Sequence, residues 1–538
     1  MSGSWSMKGY MKGAALLTIS ALIVKILGAI YRVPFQNLVG DEGFYIYQQV
    51  YPFISIFVAW TASGFAVAIS KLLADADTLE TMQQREFRRL QVMKIAFWYL
   101  VVLSLTCFTL LFTGAEALAR IMGDEQLAPL MRTGSFVVLC MPVLAVLKGS
   151  FQAKGRMEPV AYAQIVEQAV RVSIILIGSW LVMKYSGSLY GAGQVATAAT
   201  AIGEFVGVIL LLITFKYMSL FPQRQATGEK IRVWPVVKEL TLYSLSVSMS
   251  GLVLLCFQMI DSFTVYTTLL ENGFTETVAK ETKGIYDRGQ PLVQLGAVIA
   301  GSLALAIVPL VAVMCKKTTG RNADSFIQLT FRAAILFGWA ASFGLVLVMP
   351  YVNVMLFKTD SLTSVLSIFV LQIVPLSITL TFTAMLQGFG KLKVPALILI
   401  IGFLLKLLGN VTLVPHLDVL GAAFASNIGL FFIAGALIVY LKRVRPMRLA
   451  PPSYYKKLLL ASLYMMMAVY GWSFLLEQLL ALPERLEAAV IGGSAVAIGA
   501  FVFITAVAKM KLLADKEWFL LPFGRKMATY QLWLHRKK

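Results

Sequence analysis

Several ionisable residues lie within or at the edge of long apolar stretches of the sequence. On the insertion scale, an ionisable side chain at the centre of a bilayer costs on the order of 2.5–3.5 kcal/mol, so a residue of this kind is by default a candidate for function. Cations there can bind an anionic substrate, and carboxylates can bind a coupling ion or neutralise a cation. The candidates are Lys25, Arg32, Glu167, Arg171, Glu204, Asp261, Arg288 and Lys406.

Four of the five cations among these residues have no predicted partner within their own helix that would neutralise them, and they can contact a negatively charged group. Lys25 and Arg32 are seven residues apart and therefore share one helical face. Arg288 stands beside Asp287 at the start of an apolar stretch, and Lys406 lies inside another. Arginine binds phosphate in a bidentate way and lysine binds it as a point charge, so we predict that these four residues bind substrate. Structural roles stay open: Arg32 can reach the membrane interface, Arg288 can lie in a solvated loop, and Lys406 can satisfy helix ends.

The remaining candidates are three carboxylates and one arginine. Asp261 lies in the middle of an apolar stretch, with Gln258 one turn before it, and Glu204 lies in another stretch. We predict that Asp261 and Glu204 serve coupling or gating, with H⁺ or Na⁺ as the coupling ion. Glu167 and Arg171 are four residues apart and can pair along one helix, so we predict a structural ion pair.

The composition excludes most soluble and catalytic classes. Soluble proteins are about 45–50% apolar and about 25% charged, whereas these 538 residues are 59% hydrophobic and 14% charged, with a mean hydropathy of +0.78. The chain contains two histidines, four cysteines without a CxxC pair, and no GxxxxGK[ST] motif. We therefore expect no enzyme, no metal and no cofactor. The net charge is +20, and the basic residues lie between the apolar stretches. This distribution indicates the orientation of membrane spans rather than nucleic-acid binding.

Fourteen stretches are apolar enough to span a membrane, which takes about 20 residues each. The first is too long for a signal peptide and lacks a small-residue cleavage site, so we expect it to be retained. The predicted spans are 13–34, 44–70, 91–113, 128–148, 160–183, 189–215, 236–270, 290–314, 327–350, 362–388, 394–415, 419–441, 456–476 and 486–508.

Basic residues concentrate in alternate connecting segments, and both ends of the chain belong to this basic set. The positive-inside rule then predicts that both termini are cytoplasmic. We expect the protein in the plasma membrane of a bacterium. Residues 512–538 combine basic and aromatic side chains. This composition suits a segment on the anionic inner face of the membrane, and a solvated basic tail is the alternative.

Two halves of the chain resemble each other. The motif Leu147-Lys148-Gly149-Ser150-Phe151 opens the fifth span, and Leu386-Gln387-Gly388-Phe389-Gly390 opens the eleventh. An offset of six spans gives parallel repeats, and two six-helix lobes facing a central cavity suit alternating access. The predicted parts are an N-terminal lobe (1–225), a C-terminal lobe (226–445), two extra spans (446–511) and a cytoplasmic tail (512–538).

Short motifs in both halves resemble one known family. They are Lys25-x-Leu27-Gly28, Arg32, Gly40-x-x-Gly43, Tyr47, Pro52, Gly64, Ala68-Ile69-Ser70-Lys71, Tyr286-Asp287-Arg288-Gly289-Gln290-Pro291, Gln387-Gly388, Lys393, Pro395, Lys406, Asn410, Pro415 and Gly421-Ala422-Ala423. Together these residues resemble the polysaccharide-biosynthesis branch of the multidrug/oligosaccharidyl-lipid/polysaccharide (MOP) exporter superfamily, near its stage V sporulation protein B type and its lipid II flippases.

The resemblance implies an all-α polytopic membrane protein of about fourteen transmembrane helices. Two pseudo-symmetric six-helix lobes would form a V, with two extra C-terminal helices. The substrate would be a polyprenyl-diphosphate-linked saccharide, and Lys25 or Arg32, together with Arg288, would match cavity cations of the lipid II flippases. Ile56 and Phe57 stand where those flippases carry arginines, so the resemblance does not identify the saccharide.

These observations favour an alternating-access flippase that moves the lipid-linked saccharide from the inner to the outer leaflet. Membrane lipids, and possible cell-wall synthesis enzymes, are the other expected partners. A cation-coupled multidrug antiporter of the same superfamily is the alternative, but it would carry a carboxylate in the first span, which has none. A membrane glycosyltransferase would need a larger outer loop than 271–289, and a scaffold for cell-wall enzymes remains a further alternative.

Overall fold

The structure is a computed structural model that describes residues 7–76, 81–218, 230–298, 321–518 and 524–536. Within these ranges the chain is helical almost throughout and contains no strand. Long apolar stretches form helices because every backbone N–H and C=O then finds its partner inside the segment, as a lipid environment requires. The predicted all-α polytopic fold is confirmed.

The helices follow one another with short connections. In chain order they are α1 (Met7–Ile30), α2 (Arg32–Ala59), a π-helical turn (Trp60–Phe65), α3 (Ala66–Ala76), α4 (Met82–Thr113), α5 (Ala115–Ile121), a 3₁₀ turn (Glu125–Leu127), α6 (Ala128–Ser135), a second 3₁₀ turn (Phe136–Cys140), α7 (Met141–Ala153), α8 (Glu158–Tyr185), α9 (Leu189–Tyr217), α10 (Val233–Glu271), α11 (Glu276–Asp287), α12 (Gly289–Gly296), α13 (Arg321–Phe357), α14 (Thr363–Val370), α15 (Ile373–Gly388), α16 (Lys393–Val444), α17 (Pro452–Leu479), α18 (Glu484–Lys509), α19 (Asp515–Trp518) and α20 (Gly524–Arg536).

Among the described residues, eleven helical segments are long and apolar enough to cross a membrane. Two of them, Ile19–Ala76 and Lys393–Val444, each cover two of the predicted spans. Most of the predicted eighth span, 290–314, lies outside the described residues. The observed segments therefore agree with about fourteen predicted spans.

Each of the two long segments contains a break in its helical backbone. Gly40 has φ of 72° inside α2, a conformation that glycine adopts without steric cost. Asp418 has φ of 50° inside α16, and aspartate is one of the few other residues that tolerate this region. These breaks divide each segment at the junctions that the span prediction requires, after residue 34 and after residue 415.

The chain forms two compact units, Met1–Asp287 and Arg288–Lys538. The first unit contains α1 to α11, and its core clusters combine large aromatic and aliphatic side chains with alanines. The predicted seventh span, here α10, belongs to this first unit. The lobe boundaries at 225 and 445 concern the internal repeat and stay a prediction.

The predicted tail is folded where the structure describes it. Trp518 Nε1 donates a hydrogen bond of 2.9 Å to Gln531 Oε1, and Gln531 Nε2 donates one of 2.7 Å to Asp515 Oδ1. Helix α20 also packs on α18, which the Tyr530–Thr505 hydroxyl contact of 2.9 Å reinforces. Its location on the inner membrane face stays a prediction.

Candidate functional site

Arg32 is a fully buried arginine in the first unit. Its exposed fraction is 0%, and Nε, Nη1 and Nη2 make no hydrogen bond of normal length and angle with any described residue. Removing such a charged group from water without compensation is costly, because a guanidinium carries five donors. A buried guanidinium in this condition is suited to an external acceptor.

Tyrosine rings surround this guanidinium. Arg32 Cζ lies 4.3 Å from the centre of the Tyr51 ring, close enough for a cation–π contact. The hydroxyls of Tyr31 and Tyr47 are 2.7 Å apart, and the Phe35 ring packs edge-on against Tyr47 with centroids 5.2 Å apart. The pocket therefore stabilises a cation by π-faces and hydroxyl dipoles rather than by a carboxylate contact.

Arg171 brings a second guanidinium to the same rings. Its Nη2 donates a hydrogen bond of 3.3 Å to Tyr47 Oη, and its Cζ lies 5.8 Å from the centre of the Tyr51 ring. Arg171 Nε is buried without a hydrogen-bond partner. Neither Arg32 nor Arg171 forms an ion pair with a carboxylate among the described residues. Two cations that face one ring repel each other, so an anion between them would stabilise both.

The local sequence explains how these side chains meet. Helix α1 ends at Ile30 and α2 begins at Arg32, and Tyr31 between them keeps a helical conformation, so Tyr31 and Phe35 lie one turn apart beside Arg32. Tyr47 and Tyr51 are one turn apart on α2 and share a face. Small residues of α9 in the same core, Ala192, Ala196 and Ala199, allow α2, α8 and α9 to pack closely.

The predicted pairing of Glu167 with Arg171 is wrong. Lys148 Nζ donates a hydrogen bond of 3.0 Å to Glu167 Oε2, and both side chains are buried. Glu167 turns toward α7 and α9 because Gly207 leaves room for its carboxylate, whereas Arg171 turns toward the tyrosines of α2. Glu204 is buried on α9, within the electrostatic reach of Glu167, Lys148 and Arg171.

Asp261 belongs to a second polar cluster of the first unit. Tyr286 Oη donates a hydrogen bond of 2.9 Å to Asp261 Oδ2. One residue further along α11, Asp287 accepts hydrogen bonds of 2.6 and 2.7 Å from Lys283 Nζ. Burial raises the pKa of Asp287 to about 6, Asp261 adds to this, and Lys283 opposes it. Lys283, which sequence reasoning counted only as a loop residue, is thus a buried cation.

Arg288 begins the second unit and is also fully buried. Its Nη1 donates hydrogen bonds of 3.1 Å to Asn353 Oδ1 and 3.0 Å to Thr359 Oγ1, and its Cζ lies 5.0 Å from the centre of the Phe357 ring. Arg288 is therefore not a solvated loop residue. Asn353, Thr359 and Phe357 are neutral side chains that hold this guanidinium in place.

The other two predicted cations differ in environment. Lys406 in α16 is fully buried and donates a hydrogen bond of 3.0 Å to the Ala422 carbonyl oxygen of the same helix. Lys25 in α1 is exposed. Only Arg32 among the predicted substrate-binding residues lies in the tyrosine pocket. The spacing of Tyr47 and Tyr51 was the one sequence signal that could have indicated this pocket.

Comparison with known proteins identifies relatives along the whole chain. The sequence profile of the family described as polysaccharide biosynthesis protein matches residues 10–314. The uncharacterized membrane protein YabM of Bacillus subtilis (strain 168) is 35% identical over 523 residues, which cover 96% of each chain. The lipid II flippase MurJ of the same organism is 25% identical over 448 residues, which cover 79% of this chain and 81% of MurJ.

Solved structures show the same fold at low sequence identity. The lipid II flippase MurJ in an inward closed conformation aligns with a TM-score of 0.65 at 13% identity, covering 91% of this chain and 98% of MurJ. An inward-facing multidrug resistance MATE family transporter of the MOP superfamily aligns with a TM-score of 0.61 at 14% identity, covering 80% of this chain and 98% of the transporter. The chain is thus a multi-pass membrane protein that belongs to the polysaccharide biosynthesis protein family and has the fold of transporters of the MOP superfamily.

Proposed function

We propose that this protein is a flippase that moves a polyprenyl-diphosphate-linked saccharide from the inner to the outer leaflet by alternating access. The observation that carries the proposal is the Arg32 guanidinium, which is fully buried and makes no hydrogen bond of normal geometry, with Arg171 Cζ 5.8 Å from the centre of the same Tyr51 ring that Arg32 contacts. The relative MurJ of Bacillus subtilis, a lipid II flippase, supports the same class of substrate.

A diphosphate fits this pocket by charge and by geometry. Each planar guanidinium can donate two parallel hydrogen bonds to phosphate oxygens, which a lysine cannot do. Charge-assisted hydrogen bonds of this kind are worth about 1.5–3 kcal/mol each. The Tyr31 and Tyr47 hydroxyls lie 2.7 Å apart beside the two arginines, and the one that accepts the hydrogen bond between them can donate its own proton to a further oxygen.

The main energetic cost of flipping is the dehydration of the diphosphate, and the cations of the pocket lower this cost. A diphosphate leaves bulk water when it crosses the bilayer, and buried cations replace the lost hydration. Lys25, Arg288 and Lys406 are proposed as further contacts along the path, and Asp261 and Glu204 as groups that couple or gate it. H⁺ or Na⁺ can supply the energy, and so can the membrane potential, which is worth about 2.3 kcal/mol per charge per 100 mV. We place both termini in the cytoplasm, where cell-wall synthesis enzymes can deliver the substrate.

The test is a binding measurement with purified protein in nanodiscs. The probe is undecaprenyl-diphosphate-linked N-acetylglucosamine, and the variants are Arg32→Ala and, as a matched control, Arg120→Ala, which removes an exposed arginine of the same unit. Because one or two charge-assisted bonds are lost, we expect Arg32→Ala to weaken binding roughly tenfold to a hundredfold. Arg120→Ala should bind as the wild type does.

The same measurement separates the proposal from the alternative. Binding of a cationic dye that survives Arg32→Ala, together with no binding of the lipid, would indicate a multidrug antiporter and overturn the proposal. In cells that lack the protein, the polyprenyl-linked lipid that accumulates in the inner leaflet identifies the saccharide.

A further inference from the structure

A second group of ionisable side chains lies on α7, α8 and α9, near Arg171 of the arginine pocket. Lys148 donates its hydrogen bond to Glu167, and the two side chains are 2% and 7% exposed. Glu204 is 9% exposed and makes neither a hydrogen bond nor an ion pair with a described residue. One carboxylate of this group is therefore neutralised by direct contact, and the other is not.

Two glycines of α9 bring this group together. Any Cβ at Gly203 would lie 2.8 Å from the Glu167 carbonyl oxygen and 3.2 Å from Arg171 Cβ, so α8 and α9 touch here. Gly207 likewise leaves no room for a Cβ beside the Glu167 carboxylate. Glu204 follows the first glycine directly and precedes the second by three residues, so it lies at the same crossing of the two helices.

Arg171 connects this group with the arginine pocket. Its guanidinium donates a hydrogen bond to Tyr47 and lies near the Tyr51 ring, and its charge also acts on Glu204. Because Lys148 forms its ion pair with Glu167, Arg171 is the cation that balances an ionised Glu204. An anion that binds to Arg171 competes with Glu204 for the same positive charge.

Among the described residues, the other elements packed on α9 carry Arg32 on α2 and Arg132 on α6, and neither is within the electrostatic reach of Glu204. The second 3₁₀ turn contributes Cys140, whose thiol is within the electrostatic reach of Glu204. Helix α2 contributes Tyr47, whose hydroxyl accepts a hydrogen bond from Arg171. From α6 comes Arg132, which is engaged by Glu116 at 2.6 Å. The ionisable groups that act on Glu204 are thus Glu167, Lys148, Arg171 and Cys140.

We propose that Glu204 takes up one proton when an anionic diphosphate binds to Arg32 and Arg171, so that substrate binding and proton binding favour each other. This proposal rests on the proposed function, because it needs an anion in the arginine pocket. Before binding, Lys148, Arg171, Glu167 and an ionised Glu204 balance in charge. After binding, the diphosphate occupies Arg171, and a proton on the Glu204 carboxylate restores the balance.

The sign of the pH dependence follows from linkage. If the ligand raises the proton affinity of Glu204, then a proton on Glu204 raises the ligand affinity by the same factor. Binding should therefore tighten as the pH falls, by at most about tenfold per pH unit for a single proton. Glu204→Gln imitates the protonated side chain and should bind as tightly as the acidic wild type at every pH.

The experiment is titration calorimetry of the full-length protein in nanodiscs with undecaprenyl-diphosphate-linked N-acetylglucosamine. The diphosphate of this probe is a diester and does not itself titrate near neutral pH. Repeating the titration in buffers with different ionisation enthalpies counts the protons taken up for each ligand bound. The variants are Glu204→Gln and Glu204→Asp, and the matched control is Glu158→Gln, an exposed glutamate at the start of α8.

We expect the wild type, Glu204→Asp and Glu158→Gln to take up close to one proton at a pH where Glu204 is ionised in the free protein, and Glu204→Gln to take up none. Arg32-dependent binding without proton uptake in the wild type overturns this proposal alone and leaves the proposed function intact. Uptake that persists in Glu204→Gln shows that another group carries the proton and also overturns it. A wild type that binds no diphosphate through Arg32 overturns both proposals.

Discussion

The Arg32 guanidinium lies 4.3 Å from the centre of the Tyr51 ring, and Arg171 lies 5.8 Å from the same ring. One aromatic side chain thus serves two cations that no carboxylate among the described residues contacts. An aromatic ring attracts a cation less strongly than a bound anion would. The Tyr51 ring therefore holds the two guanidinium groups in place, and a phosphate can still bind to them.

The first prediction concerns the Tyr51 ring. Tyr51→Phe keeps the π-face and should retain lipid binding, whereas Tyr51→Leu removes it. Because a desolvated cation–π contact is worth about 0.5–2 kcal/mol, Tyr51→Leu should weaken binding of the lipid-linked saccharide by up to about thirtyfold. Binding curves in nanodiscs measure this directly. Equal affinities for the two variants would contradict a role for the ring.

The second prediction concerns the buried Lys148–Glu167 pair. Removing one partner leaves an uncompensated buried charge, at a cost of about 3–5 kcal/mol, so Lys148→Met and Glu167→Gln should each lower the thermal midpoint strongly. The double variant should recover much of this loss, since no unpaired charge remains. The exposed pair of Lys71 and Glu239 is the control, and breaking it should cost at most about 1 kcal/mol. Additive effects of the two buried substitutions would argue against the pair.

Sequence reasoning located the ionisable residues but not their partners. Glu167 and Arg171 have the spacing of a helical ion pair, yet Lys148, nineteen residues earlier in the chain, is the partner of Glu167. Spacing within one helix shows only which partner the same helix can offer. The actual partner of Glu167 depends on the neighbouring helices, here α7 with Lys148 and α9 with its glycines.

The spans were easier to predict than the sites. A run of about 20 apolar residues determines a membrane helix by itself, because the bilayer admits few other structures. The burial of Lys283 was harder to predict, because α11 is short and polar and its sequence resembles that of a loop. Lys283 is buried because Gly284 lets α11 approach the Asp41 carbonyl on α2, a contact between residues far apart in the chain.

The third prediction concerns the pH dependence of stability. Burial raises the pKa of Asp287 from 3.8 to about 6, although Lys283 lowers it in part. Between these two values the native state binds more protons than the unfolded state, so the Asp287 contribution to stability falls as the pH rises through this window. Asp287→Asn should remove that decline. Thermal midpoints of wild type and variant across this window measure it, with the exposed Asp75→Asn as the control. Parallel pH profiles for Asp287→Asn and the wild type would show that another group causes the decline.

The last prediction concerns Arg288 as a contact for the diphosphate in the second unit. Arg288→Lys keeps the charge but loses the planar fork that holds Asn353 and Thr359, so it should be partly impaired in lipid binding. Arg288→Ala loses both and should weaken binding roughly tenfold to a hundredfold.

A structural role alone would produce a different pattern. Asn353→Ala removes a partner of Arg288 and two further hydrogen bonds, to the Ser361 carbonyl and to Thr363 Oγ1, but leaves the guanidinium in the protein. If Arg288 contacts the substrate, Asn353→Ala should lower the thermal midpoint yet reduce affinity less than Arg288→Ala does. Should Arg288→Ala, expressed at a normal level, still complement a strain without the protein and bind the lipid normally, Arg288 is a structural residue. Lys406, which is equally buried in the same unit, is then the next cation to test.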